Sequence, residues 1–336
     1  MRHIAITMGC PVGIGPEIII KYFSQTPSSS QFSPVILGDV GILQRCASEL
    51  HINIKIVAWQ PNIPYQPGHL PVLELSRLSA QDLIWGQPTI ATGQAMVGYI
   101  EKAVSLILEG TVSAMVTCPI SKSSLHRAGY NFPGHTEMLA ALTGSRDYVM
   151  MMAGSKLRIT LATIHCSLAS VPARLNQEIL GSLIKTTDTA LRHDFGIVAP
   201  RLAVAALNPH AGETGLFGRE EKDIILPAIE AMQSKGITVQ GPFPPDTIFL
   251  KAASGMYDAV ICMYHDQGLI PFKLLHFKDG VNVTLGLPIV RTSVDHGTAY
   301  DIAGKGLADP ASLAAAVDMA NLIARNRECP VKIAGF

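Results

Sequence analysis

The feature that most constrains the fold of this chain is an alternation of two patterns. Short, almost continuously apolar runs recur along it: HIAITM (3–8), PVILGD (34–39), KIVAW (55–59), AMVTCP (114–119), RITLATI (158–164), RLAVAAL (201–207) and DAVICMY (258–264). Strands of that kind, apolar on both faces, suit a parallel sheet covered by helices on both sides. Between them, segments such as GQAMVGYIEKAVSLIL and NQEILGSLIKTTDTALRHDFG place apolar side chains at helical spacing. The order strand, helix, strand over the whole length predicts an α/β fold, and 336 residues leave room for two domains.

The connecting segments carry their own expectations. Gly9 to Glu17 reads as a glycine turn between a strand and a helix, with Pro16 at the first helical position. It has G-x-G without the third glycine of a dinucleotide fingerprint, so a structural turn is at least as good a reading. Residues 60–72 are proline-rich and aperiodic, which predicts a surface loop. After Pro119 the polar ISKSS and a loop are expected to run to FPGHTEMLAALTG, where Thr136 is placed to cap a helix and His135 to sit at its positive end. Pro242 to Asp246 read as a turn, and a last helix is expected from Pro310 to about Asn326.

Composition narrows the function. Lys plus Arg equal Asp plus Glu at 26 each, and this absence of a basic excess argues against a nucleic-acid partner. No apolar run approaches the roughly 20 residues of a membrane span. The opening MRHIAITMG shows no charged and apolar leader. Cys10, Cys46, Cys118, Cys166, Cys262 and Cys329 are scattered, with no C-x-x-C pair, and read as reduced thiols. The expectation is a cytoplasmic enzyme whose 48% apolar content also favours burial in an oligomer.

Three apolar runs lead into a histidine: RITLATI into His165, RLAVAAL into His210 and DAVICMY into His265. If the three strands are parallel neighbours, the imidazoles meet at one sheet edge. Three neutral imidazoles suit a divalent first-row ion such as zinc or cobalt and leave positions open for substrate. Asp246 and Asp266 are placed to orient those ligands. Lys273 and Arg291 stand inside the apolar segments IPFKLL and LPIVRTS, where an anionic substrate group would need them. His276 has no such context and reads equally well as a structural histidine.

Two resemblances add to this reading. DHGTAYDIAGKGLADP (295–310) resembles the segment with which isopropylmalate and isocitrate dehydrogenases hold the adenosine part of NAD(P), although their metal-binding aspartate cluster is not evident here. The set GCPVGIGPE, PGHTE, LNPHAGE, GPFPPDT, MYHDQGLIPFK and VNVTLGLPIVRTSVDHGTA resembles, in order, the 4-hydroxythreonine-4-phosphate dehydrogenase family of vitamin B6 biosynthesis. That resemblance implies a two-domain α/β/α fold like isopropylmalate dehydrogenase. Residues 1–130 plus 280–336 would form one domain and 131–279 the second, which carries the metal ligands and dimer contacts.

The resemblance also implies roles. The metal ligands fall on His165, His210 and His265, and the substrate contacts on His135, Thr136, Lys273, Asn282 and Arg291. His296, Gly297, Thr298 and Asp301 form the cofactor turn; Lys273, His265 and Asp266 are the catalytic candidates. The implied cofactors are NAD or NADP and one divalent metal (Zn, Co or Mg). The implied assembly is a homodimer with its site in an interdomain cleft completed by both subunits. The implied reaction oxidises the C3 hydroxyl of 4-phosphohydroxy-L-threonine, and the 3-oxo product decarboxylates to 3-amino-2-oxopropyl phosphate. A close branch resembles 4-phospho-D-threonate or erythronate dehydrogenases of sugar-acid catabolism, and no motif separates the two. This chain departs from the family by Cys10 and Val12 in the first loop, where a carboxylate is usual, and by Cys118. The lost carboxylate is the one feature that favours a non-catalytic phosphate-binding protein; the three retained histidines argue against it.

Overall fold

The computed structural model describes residues 2–25, 32–61 and 63–328; Cys329 and most of the polar segment 24–33 lie outside them. In chain order the elements are β1 (Arg2–Thr7), α1 (Gly15–Gln25), β2 (Phe32–Gly38), α2 (Val40–Glu49), β3 (Lys55–Ala58), β4 (His69–Glu74), α3 (Ile90–Leu108), β5 (Ala114–Thr117), α4 (Lys122–Arg127) and α5 (His135–Thr143). They continue with β6 (Val149–Ala153), β7 (Arg158–Leu161), α6 (Val171–Arg174), α7 (Gln177–His193), β8 (Leu202–Ala205), α8 (Leu226–Gln233), β9 (Val239–Phe243) and α9 (Ile248–Ala253). Last come β10 (Ala259–Cys262), α10 (His265–His276), β11 (Val281–Leu285), β12 (Arg291–Val294) and α11 (Ala311–Glu328). The fold is α/β, as the alternation requires. No helix among the described residues is long and apolar enough to cross a membrane.

The described residues divide into two compact units, those up to 146 with 287–324, and 147–286 with 325–328. In the first, strands run in the order β3-β4-β2-β1-β5-β12, all parallel. Every residue of β2 and β5 is buried, so both faces of this sheet are covered. Helix α2 starts on Asp39, whose Oδ1 accepts the Ile42 N–H at 3.0 Å, and α3 starts in a reciprocal capping box of Thr89 and Thr92.

In the second unit the order is β11-β6-β7-β10-β8-β9. Strands β7, β10, β8 and β9 are parallel, whereas β6 is antiparallel to both its neighbours. Its core includes Ile159, Leu161, Ala203, Val260, Leu269 and Phe272. Helix α10 lies close to the strands because residue 268 is glycine. A Cβ there would stand 2.6 Å from Ile159 Cδ1 and 3.0 Å from Cys262 Sγ.

Several local expectations give way. The proline-rich stretch 60–72 is a loop only at its start, because residues 69–74 are β4, in register with β2 and β3. The polar ISKSS opens helix α4, with Ser121 Oγ accepting the Ser124 N–H at 3.2 Å. Thr136 does not cap α5: the N-cap is Gly134, without a side-chain bond, and Thr136 lies inside the first turn. Pro242 and Phe243 belong to β9 rather than to a turn. The units divide at 146 and 286 rather than at 130 and 279. Helix α5 packs on α3, which keeps 135–143 with the first unit, and β11 pairs with β6, which keeps 281–285 with the second. Residues 325–328 count with the second unit through Asn326 and Arg327, which bond Asp194.

Candidate active site

Strands β7, β10 and β8 are consecutive parallel neighbours, so their carboxyl ends share one edge of the second unit. The histidines stand just beyond those ends, His165 and His210 in loops and His265 as the first residue of α10. The loops after β7 and β10 are zipped together. The Ala162 and Thr163 N–H groups donate to the Cys262 and Met263 carbonyls, and Thr163 Oγ1 donates to Met263 O at 2.8 Å. This brings the His165 and His265 rings to 5.9 Å between centroids. Gln267, buried on α10, ties the same edge to β8: its Oε1 accepts the Met263 N–H and its Nε2 donates to Ala206 O, each at 2.7 Å.

Asp266 Oδ1 lies 2.7 Å from His265 Nδ1, which puts a proton on that nitrogen and leaves Nε2 as the ring's acceptor. His210 is exposed and stands in a turn, Pro209–Gly215, whose five central residues all have positive φ. Its nearest ring is Phe217, at 6.3 Å. Among the described residues no group of three His, Cys, Asp or Glu side chains is drawn together as a finished metal site. The pair His165 and His265 nevertheless suits one ion. At about 2.0–2.1 Å per bond, two imidazoles on one ion have centroids no more than about 6.5 Å apart. Asp246 lies exposed between β9 and α9, and Lys273 is half-buried on α10. Asn282 is half-buried on β11, opposite Met152 of β6.

His276 is structural. Buried on α10, it accepts the Lys156 N–H on Nε2 at 3.2 Å and bonds Asp279 through Nδ1 at 3.1 Å. The ring is packed so tightly on Gly154 that a Cβ there would meet it at 2.4 Å.

In the first unit Arg291 is buried within β12 at 3% exposure. Its Nε and Nη2 both donate to Thr117 Oγ1, at 3.1 and 2.8 Å. Burial lowers its pKa to about 9, and the Glu137 carboxylate works against that shift. His135 opens α5, and its Nε2 is buried without a hydrogen-bond partner. Burial first, and the Arg291 charge second, push its pKa well below the usual 6.5. A buried guanidinium beside a neutral imidazole is an arrangement for holding an anion. Thr136 is half-buried in the same turn of α5.

Residues 296–301 form an irregular turn in which Ala299 has φ +41. It rests on the glycine turn: Ile14 N–H donates to Thr298 O at 3.1 Å, and the Tyr300 hydroxyl donates to Cys10 Sγ at 3.3 Å. The glycines of that turn answer to packing. A Cβ on Gly9 would stand 2.4 Å from Pro119 O, and one on Gly15 2.1 Å from Met8 O. The Cys10 thiol is buried, and desolvation raises its pKa.

The chain matches the family model described as "Pyridoxal phosphate biosynthetic protein PdxA" over residues 30–320. The chain belongs to the PdxA family. It is 53% identical over 322 residues to a 4-hydroxythreonine-4-phosphate dehydrogenase of Desulforapulum autotrophicum, covering 95% of this chain and 94% of the relative. It is also 44% identical over 326 residues to a D-threonate 4-phosphate dehydrogenase of Pectobacterium atrosepticum, covering 96% and 99%. The crystal structure of a 4-hydroxythreonine-4-phosphate dehydrogenase from Klebsiella pneumoniae superposes with a TM-score of 0.87 at 43% identity, covering 96% of this chain and all of that one.

Membership of the PdxA family makes this chain an oxidoreductase, a dehydrogenase whose class uses a nicotinamide cofactor. The turn of residues 296–301 suits such a ligand in one respect: Gly297 is exposed, with open space where a Cβ would stand, so a ligand can approach the backbone there. More side chains shape these sites than the motifs suggest. Thr117, Thr163, Gln267 and Glu221 hold the functional side chains or their loops, and only the QG that follows HD hints at Gln267 in the sequence.

Proposed function

We propose that this PdxA-family enzyme oxidises the C3 hydroxyl of 4-phosphohydroxy-L-threonine with NAD or NADP, using one divalent ion (Zn, Co or Mg) held by His165, His210 and His265. The observation that carries the reading is the pair of imidazoles 5.9 Å apart at the exits of neighbouring parallel strands, with Asp266 fixing His265 through Nδ1. When bound, the ion supplies Lewis acidity that lowers the alcohol pKa and polarises the product carbonyl, and the nicotinamide accepts the hydride.

The chain's own residues do the rest. Asp266 keeps His265 in the tautomer that offers Nε2 as a ligand. Arg291, held by Thr117, and neutral His135 are the first unit's groups for an anionic part of the substrate, with Thr136 in the same turn, and Lys273 and Asn282 are the second unit's. Lys273 or a hydroxide takes the hydroxyl proton as the C3 hydrogen leaves as hydride; in the first case Lys273 acts as the free amine and leaves the anion to the other residues. His296, Gly297, Thr298 and Asp301 hold the cofactor. The β-keto acid so formed loses CO2 to give 3-amino-2-oxopropyl phosphate, in the biosynthesis of vitamin B6.

A second substrate is supported by the 44% identity to D-threonate 4-phosphate dehydrogenase, whose substrate differs at C2. Turnover of the purified enzyme on 4-phosphohydroxy-L-threonine and on 4-phospho-D-threonate, with each nicotinamide, decides between them. Inactivity on both overturns the reading. A homodimer is supported by α10 and its C-cap, where Ile270, Leu274 and Phe277 stand 61%, 82% and 78% exposed at helical spacing. An apolar stripe of that kind is what a second copy would cover.

A further inference from the structure

We infer that Glu221 is the positioning residue that sets the left-handed turn carrying His210, and through it the third ligand of the metal site proposed above. The inference rests on that metal reading. His210, Ala211, Gly212, Glu213 and Thr214 have φ of 51, 55, 78, 44 and 58. Four of the five carry a Cβ, and side-chain-bearing residues enter this region only where the surroundings over-determine them.

The over-determination comes from one carboxylate. Glu221 is 6% exposed and opens a π-helical turn, Glu221–Ile225, a rare local geometry that redirects a side chain. Its Oε1 accepts the N–H groups of Leu207 at 2.9 Å and Asn208 at 2.7 Å, where the chain leaves β8. Its Oε2 accepts Asn208 Nδ2 at 3.0 Å, and that amide also donates to Glu220 Oε2 at 2.8 Å. In the middle of the turn Gly212 lies so close that a Cβ would stand 2.6 Å from Glu221 Oε2. The same side chain therefore bonds the entry to the turn and packs against its centre, on either side of His210. A carboxylate has acceptors for all three N–H donors. The isosteric amide does not, because its NH2 would face that of Asn208.

The test is Co2+ titration of the metal-free protein, followed by calorimetry and by visible absorption, with thermal unfolding of the metal-free forms alongside. Glu221→Gln is expected to weaken Co2+ binding by about 10–100-fold, the range found when a group supporting a metal ligand is removed. In a His210→Ala background the same substitution is expected to change nothing further, because its effect passes through His210. Glu221→Asp, which keeps the charge and draws the carboxylate back by one methylene, is expected to act in the same direction and with the same dependence on His210. It reads the contact even if Glu221→Gln fails to fold. Wild-type affinity in a folded Glu221→Gln, or an equal loss in the His210→Ala background, overturns the inference. Failure of the wild-type protein to bind Co2+ at all is read before any variant; it removes the metal reading itself, and this inference with it.

Discussion

Arg291 and Thr117 are joined by two hydrogen bonds to one oxygen: both Nε and Nη2 of the buried guanidinium converge on Thr117 Oγ1. The two residues lie on adjacent parallel strands, β12 and β5, with Thr117 paired to Ser293 in the register. A charge buried this deeply depends on each acceptor it has.

Thr117→Val keeps the shape and removes that acceptor. It should cost about 1.5–3 kcal/mol, the worth of a hydrogen bond to a charged group, read by denaturant unfolding. Burial lowers the Arg291 pKa to about 9, and the guanidinium still carries its charge at neutral pH. Arg291→Met should therefore raise the KM for the phosphorylated substrate by about 10–100-fold, the worth of a hydrogen bond to a charged group. An unchanged KM in the folded variant would separate Arg291 from anion binding.

His135 leads to a stability prediction. Its folded pKa lies well below 6.5, so below pH 6.5 the unfolded chain binds a proton that the folded one refuses. This contribution to stability is complete above pH 6.5 and drains away as pH falls toward the folded pKa. His135→Asn should flatten the fall of Tm between pH 6.5 and 4.5 relative to wild type. Parallel Tm curves for the two proteins would contradict the burial of the neutral ring.

Buried Glu17 and half-buried Lys21 form a pair on α1, 2.9 Å apart, that also binds the backbone of residues 306–308. Glu17 Oε1 accepts the Ala308 N–H at 2.7 Å, and Lys21 Nζ donates to Gly306 O and Ala308 O. Glu17→Ala takes the carboxylate from Lys21 and the acceptor from the Ala308 N–H, and should cost about 1.5–3 kcal/mol, the worth of a hydrogen bond to a charged group, whereas the double replacement by methionine should cost clearly less. Equilibrium unfolding of both variants checks the difference.

Leu274→Glu puts a charge in the middle of the apolar stripe on α10. Light scattering coupled to size exclusion should find a dimer for wild type and a monomer for the variant at micromolar concentration. A dimer in both places the second copy elsewhere.

Much of the layout was legible because burial of a strand or helix is written in its own few residues. The runs ending near His165, His210 and His265 read as strands for that reason, whereas the place of β10 between β7 and β8 is not written in any one of them. The boundaries of β4 and α4 were not legible. Pro71 is tolerated in β4, and the polar ISKSS becomes an N-cap, for reasons that lie in strand pairing and in a single serine hydroxyl. Thr136 fits the pattern of a cap, yet helix α5 begins one residue before it.

The sequence by itself determined the α/β alternation, the three histidines at strand exits and, through its motifs, the PdxA family. Only the tertiary structure decided which side chains hold those groups in place. Glu221 reaches back 14 residues to Leu207, Gln267 reaches 61 to Ala206, and Arg291 reaches 174 to Thr117. The division also falls between His276, which Lys156 and Asp279 make structural, and His265, which Asp266 holds through Nδ1. Hydrophobic periodicity is a local property and can be read along the chain. A hydrogen bond between distant residues exists only once the sheet has brought their strands side by side.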